Sequence, residues 1–106
     1  MENKMRVYIS GQITGLDIKV AEQYFEQVEK QLEEAGYIPV NPMKVVEYHP
    51  DHTWHYYMAK DIEALLYCDA ILMLENWTNS KGAKIEHGIA QGLGLQLYYM
   101  QNHKLF

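Results

Sequence analysis

Between Met5 and Ser10, Val7 and Ile9 alternate with Arg6 and Tyr8, a period of two that predicts a strand ending before Gly11. Gly11-Gln12-Ile13-Thr14-Gly15 then reads as a loop with a glycine at each end. From Asp17, a suitable N-cap, the apolar spacing changes to that of a helix running to Ala35. Val20, Tyr24, Val28 and Ala35 fall on one face, with Ala21, Phe25 and Leu32 beside them, and Gly36 is the expected stop. Tyr37-Ile38-Pro39-Val40 predicts a short second strand, placed at an edge because Pro39 cannot donate to a ladder.

Asn41-Pro42 opens a long connection to about Thr53, with a short helical turn expected at Lys44 to Glu47. A second helix is predicted from about Trp54 to Tyr67, with Met58, Ile62 and Leu65/Leu66 inward. Asp69-Ala70-Ile71-Leu72-Met73-Leu74 is apolar after its first residue, the mark of a strand covered on both faces in a parallel sheet. A third helix from Ser80 to Gly92 or Leu93, a fourth strand from Leu95 to Met100 and a short tail from Gln101 to Phe106 complete the pattern.

Strand–helix–strand alternation with right-handed crossovers predicts one α/β domain, a small doubly wound parallel sheet of flavodoxin-like kind in the order 2-1-3-4. Such an order has a switch point between strands one and three, where ligands bind beyond the carboxyl ends. The loops leaving those ends run from Gly11 to Leu16 and from Glu75 to Ser80.

Composition narrows the classes. A chain of 106 residues with 48% hydrophobic and 22% charged residues is a folded single domain and excludes disorder. The net charge of −5 lacks the basic footprint of a nucleic-acid binder. No apolar run reaches the length of a membrane span, and Met1-Glu2-Asn3-Lys4 leads into a strand rather than a signal peptide. The lone Cys68 has no internal disulfide partner, which fits a reducing cytoplasm.

Candidate chemistry gathers at Ser80-Lys81-Gly82-Ala83-Lys84-Ile85-Glu86. Ser80 is suited to cap a helix start, and Gly82 permits close approach of another chain or a ligand. Glu86 follows about one and a half turns later, near enough to the positive helix end to stay ionised. It is either a nucleophile or sugar anchor above a strand-to-helix turn, or an exposed helical charge. Tyr8 is either its partner or a core ring with a satisfied hydroxyl. Asp69 is either a functional carboxylate or a local cap. His49, His52 and His55, spaced by three and without cysteines, do not form a zinc pattern, so no metal is expected. His87 is expected on a different helix face from Glu86, and Cys68 as an inert core thiol. Trp54, Trp77, Tyr56 and Tyr57 either stack on a base or pack at a subunit contact.

Val7-Tyr8-Ile9-Ser10-Gly11, Cys68-Asp69-Ala70-Ile71 and Ser80-x-Gly82-x-x-x-Glu86 followed by Ile89-Ala90 resemble the nucleoside 2-deoxyribosyltransferases and the deoxynucleoside 5′-monophosphate N-glycosidases. Thr53-Trp54, Tyr57-Met58 and Trp77 bring the chain closer to the small deoxyribosyltransferase-like proteins grouped beside them. The resemblance extends from about Arg6 to Leu97. It implies that Glu86 attacks the anomeric carbon of a 2-deoxyribosyl group, that Tyr8 orients Glu86, and that Asp69 lies at the nucleobase side. It further implies substrate contacts at Ser80, Gly82, Gly11, Gln12 and Trp77. Ser80 matches the monophosphate-hydrolysing relatives, whereas the transferases carry aspartate there. Gln12 departs from the proline common in the family, and the sequence ends soon after the fourth strand where the full-length enzymes continue.

The resulting expectation is cleavage or transfer at the N-glycosidic bond of a 2-deoxynucleoside or its monophosphate. It includes a small-molecule nucleoside or nucleotide partner, no cofactor, no metal, no nucleic acid and no membrane. A cytoplasmic homodimer or homotetramer is the expected form. The alternatives are a non-catalytic nucleotide or nucleotide-sugar binding module, and a structural partner protein whose tyrosines serve association.

Overall fold

The computed structural model describes residues 4–47 and 49–102, so most of the expected tail, residues 103–106, lies outside the described residues. Four parallel strands form one sheet in the order β2-β1-β3-β4, with β1 at Arg6–Ser10, β2 at Ile38–Val40, β3 at Ala70–Met73 and β4 at Gln96–Tyr99. The predicted order is the observed one, and Pro39 sits in an edge strand as its missing N–H requires.

Strand alternation assigns the two faces. Val7, Ile9, Ala70, Leu72 and Leu74 point to the face covered by Phe25, Val28 and Leu32 of α1 (Ile18–Glu34). Burying side chains such as Phe25 and Leu32 contributes about 1.5–3 kcal/mol each. Tyr8, Ile71 and Met73 point to the other face, against Leu65, Ala83 and Ala90. Leu65 belongs to α3 (Trp54–Leu65), and the two alanines to α4 (Lys81–Leu93). A one-turn helix, α2 (Pro42–Val45), precedes α3 and starts two residues earlier than the turn expected at Lys44.

The helix limits follow local chemistry. Asp17 caps α1 by accepting from the N–H groups of Lys19 and Val20, and Thr53 and Ser80 cap α3 and α4 in the same way. Gly36 and Gly94 end α1 and α4 with φ of +93° and +75°, values that a residue with a Cβ adopts only at a cost. The inner face of α1 differs from the expected one. Ala21, Phe25, Val28 and Leu32 are buried, whereas Val20 is 58% exposed, because the buried stripe is centred one position further along than Val20-Tyr24-Val28. In α3, Leu65 is buried and Leu66 is exposed.

Candidate active site

Helix α4 packs on the sheet through two small residues, Ala83 and Ala90, which join Tyr8, Ile71 and Met73 in one core cluster. Ala83, Glu86 and Ala90, spaced by three and four, are its buried positions, so the glutamate is aimed inward between two alanines. Only 5% of Glu86 is exposed. An ionised carboxylate there is costly unless hydrogen-bonded, and β1 supplies the donors. The Tyr8 hydroxyl donates to Oε2 across 2.8 Å, and the Ser10 hydroxyl donates to Oε1 across 2.7 Å. Tyr8 and Ser10 are two residues apart on one strand, so the period of two brings both beneath α4.

A second carboxylate completes the pair. In α3 the partly buried Trp54 and Asp61 share a helical stripe with the buried Met58 and Leu65, which turns Asp61 inward. Its Oδ1 is buried and has no hydrogen-bond partner among the described residues. Burial first, and the neighbouring Glu86 charge second, push the Asp61 carboxyl up to about 8. Burial likewise pushes Glu86 up to about 7, while the hydrogen bonds from Ser10 and Tyr8 pull it down. Burial thus acts against the charged form that the helix start is expected to favour, and the two hydrogen bonds act for it. The Tyr8 phenol is pushed well above its usual range by burial, then by the Glu86 charge, and stays a donor. The two carboxyls titrate as a pair. Of the two, Asp61 is the one that favours the proton, because Glu86 has two donors and Asp61 Oδ1 has none among the described residues.

The loops expected to frame the crevice are joined: the Gln12 N–H donates to Asn76 Oδ1 across 3.1 Å. Gln12 also donates from its side chain to the Thr14 carbonyl. Gly11 sits where any Cβ would lie 2.7 Å from Leu74 Cδ1, so the residue following Ser10 is pressed against the end of β3. Ser80 is engaged as the cap of α4, accepting from the Ala83 N–H. Gly82 faces Met58 of α3, where a Cβ would lie 3.0 Å from Sδ in a flexible side chain. Trp77, in a single 3₁₀ turn at Trp77–Asn79, stacks on His87 at 4.5 Å between ring centroids. The His87 ring nitrogen pairs with the Tyr99 hydroxyl at 2.8 Å, so His87 braces the Trp77 loop against β4.

Asp69 is not brought to Glu86. It is exposed at the amino end of β3, where its carboxylate accepts the Arg6 N–H across 2.9 Å. Site loops leave the opposite, carboxyl ends of β1 and β3, so the position of Asp69 in its strand removes it from the Glu86 pair. Cys68 is buried, with its thiol pushed up to about 11 chiefly by burial, in keeping with an inert core group. Among the described residues no cluster of three or more His, Cys, Asp or Glu is arranged to hold a metal.

Asp61 and Ser10 are the two site residues that sequence reasoning missed. Asp61 had a signal: a carboxylate on the apolar stripe of a helix. Ser10 had one too, since it shares a strand face with Tyr8.

With this geometry in place, a family model described as a domain of unknown function (DUF4406) matches residues 5–99. The chain belongs to that family. No protein among the curated ones matches in sequence. The 2-desoxiribosyltransferase from Leishmania mexicana is similar in structure, with a TM-score of 0.68 and 22% identity over 91% of this chain and 63% of its own. The CMP N-glycosidase of Clostridium botulinum has a TM-score of 0.60 and 20% identity, over 89% of this chain and 66% of its own. The 2-deoxyribosyltransferase of Bacillus psychrosaccharolyticus has a TM-score of 0.66 and 14% identity, over 95% of this chain and 77% of its own. The fold is deoxyribosyltransferase-like, and the chain spans less than two thirds of the length of the first two of these proteins. No helix among the described residues is long and apolar enough to cross a membrane.

Proposed function

We propose that this domain cleaves or transfers at the N-glycosidic bond of a 2-deoxynucleoside or its 5′-monophosphate. One observation carries the reading: the buried Glu86 is held through both oxygens by Tyr8 and Ser10, and Asp61, whose carboxyl is raised by burial and by the Glu86 charge, supplies a second carboxyl suited to hold a proton. That arrangement suits a displacement at a sugar carbon with an oxocarbenium-like transition state. A Glu86 oxygen attacks the anomeric carbon as the carbon–nitrogen bond breaks. The bonding pair leaves with the base, whose nitrogen takes the proton from Asp61. The glycosyl ester on Glu86 is then attacked by water or by another base. Asp61, now ionised, accepts the incoming group's proton, and the ester carbon–oxygen bond breaks to return the carboxylate. Two carboxyls supply nucleophile and acid, so the scheme calls for no metal or organic cofactor.

Ser80 and the start of α4 are the proposed contact for a 5′-phosphate or sugar hydroxyl, with Gly11, Gln12 and Trp77 as the walls. The fold shared with a transferase and an N-glycosidase supports a nucleoside or nucleotide as the small-molecule partner. A cytoplasmic homodimer or homotetramer is part of the same reading.

The test is base release, followed by chromatography, from a panel of deoxynucleosides and their monophosphates, with and without an acceptor base. Release that disappears in Glu86→Gln supports the reading. Absence of release from every substrate, with binding retained, overturns it in favour of a nucleotide-binding module.

A further inference from the structure

The bond from Ser10 to Glu86 has features that a filler hydroxyl lacks. A buried serine in a strand ordinarily satisfies its hydroxyl on nearby backbone. The Ser10 hydroxyl instead reaches a side chain 76 residues away, at 2.7 Å, with no surface of its own exposed. Its backbone is fixed on both sides. The Leu74 N–H donates to the Ser10 carbonyl across 2.8 Å, Ser10 stands opposite Met73 in the ladder, and Gly11 presses on Leu74. The hydroxyl therefore leaves from a rigid anchor.

The torsion that turns a glutamate carboxyl is broad and roughly two-fold. One donor, Tyr8 on Oε2, fixes the position of one oxygen and leaves the plane free to turn about it. A second donor on the other oxygen sets the plane. Reaction needs aligned atoms, and a misplacement of about 1 Å can cost on the order of a hundredfold in rate.

We propose that Ser10 is a positioning residue for Glu86, setting the plane of its carboxylate by holding the oxygen that Tyr8 does not. The assignment rests on the reading of Glu86 as the nucleophile, but it has a readout of its own. Ser10 donates to the charged form of Glu86, so its loss raises the carboxyl's pKa whether or not any substrate is turned over.

The experiment compares the full chain with Ser10→Ala, Ser10→Thr and Ser10→Cys. Glu86 is followed by carbon-13 carboxyl titration, with its signal assigned by its loss in Glu86→Gln. Ser10→Ala is expected to titrate Glu86 at higher pH and to lower kcat by about ten- to a hundredfold with little change in KM. The limb of the pH profile governed by Glu86 is expected to move upward with it. Ser10→Thr keeps the hydroxyl and is expected to recover both properties. Ser10→Cys keeps the volume with a much weaker donor and carries the same test should the alanine variant not fold. An unchanged Glu86 titration in the alanine and cysteine variants overturns the proposal, as does an unchanged kcat. If the wild-type chain releases no base at all, the glycosidic reading fails by itself, and the titration still decides the role of Ser10.

Discussion

The Tyr8 hydroxyl donates to Oε2 of Glu86 across 2.8 Å, joining a strand and a helix whose residues are 78 positions apart. The bond is buried at both ends, so it is stronger than a surface contact and its loss leaves a charge under-solvated. Tyr8→Phe keeps the ring in the core and removes only this donor. A hydrogen bond to a charged group is worth about 1.5–3 kcal/mol, and kcat should fall at least about tenfold. Because this bond lowers the Glu86 pKa, the acid limb of the pH–rate profile should move to higher pH in the variant. An unmoved limb would show that the bond does not act on the reacting carboxylate.

Asp61 is expected to give the basic limb. With its carboxyl near 8 and Glu86 near 7, kcat/KM should form a narrow bell, falling below about 7 as Glu86 protonates and above about 8 as Asp61 ionises. Asp61→Asn should lose the basic limb and about 10²–10⁴ in kcat, the usual share of a general acid. The loss should be smaller for leaving groups that need no proton. Asp69→Asn, altering a carboxylate at the amino end of the sheet, should leave both limbs in place.

The same two carboxyls tie stability to pH. Each has a folded-state pKa raised above its unfolded value, from 4.5 to about 7 for Glu86 and from 3.8 to about 8 for Asp61. The folded state therefore binds more protons than the unfolded state across that window, and the contribution is full below about 4 and lost as pH rises through about 8. The wild-type Tm should fall across this range relative to Asp61→Asn, whose curve should be flatter. Parallel curves would show that Asp61 is not held protonated by the fold.

Two glycines should respond differently to alanine. At Gly11 the new Cβ would meet Leu74 Cδ1 at 2.7 Å and Cβ at 2.8 Å, and the side chain is walled in by the buried end of β3. Overpacking of that kind costs about 1–3 kcal/mol, a drop in Tm of roughly 4 °C or more. At Gly82 the nearest atom is the Met58 sulfur at 3.0 Å, in a flexible side chain that can give way, and alanine is a better helix former than glycine. Thermal melts should therefore show a clear loss for Gly11→Ala and little change for Gly82→Ala.

Much of the fold is written locally in the chain. The apolar run at Ala70–Met73 is a central strand, Asp17 and Ser80 cap helices, and Gly36 and Gly94 stop them at positive φ. The inner face of α1 lies one position beyond the one its apolar spacing suggests, since Val20 and Ala21 are adjacent and spacing alone does not decide which of them turns toward the sheet. In the site, Glu86 and Tyr8 were legible from motif and topology together. Asp61 is hidden in the sequence because it lies on the apolar stripe of α3, where an acidic residue reads as a break in the stripe. Asp69 lies beside a recognisable strand, but a residue preceding β3 is at the end of the sheet away from the loops that leave Ser10 and Met73. At Glu86 burial adds a cost that the sequence does not display: it raises the carboxyl to about 7 against the hydrogen bonds from Ser10 and Tyr8.

If Glu86 is the nucleophile, it forms a covalent bond to the sugar. The direct measurement is the mass of the intact chain, then of its peptides, after mixing with the substrate identified by base release carrying fluorine at the sugar C2. The fluorine slows breakdown of the ester by destabilising an oxocarbenium-like transition state. A mass increase of one glycosyl group is expected, located on the peptide containing Glu86 and absent in Glu86→Gln. An adduct on another residue, or base release from this analogue without any adduct, would contradict it.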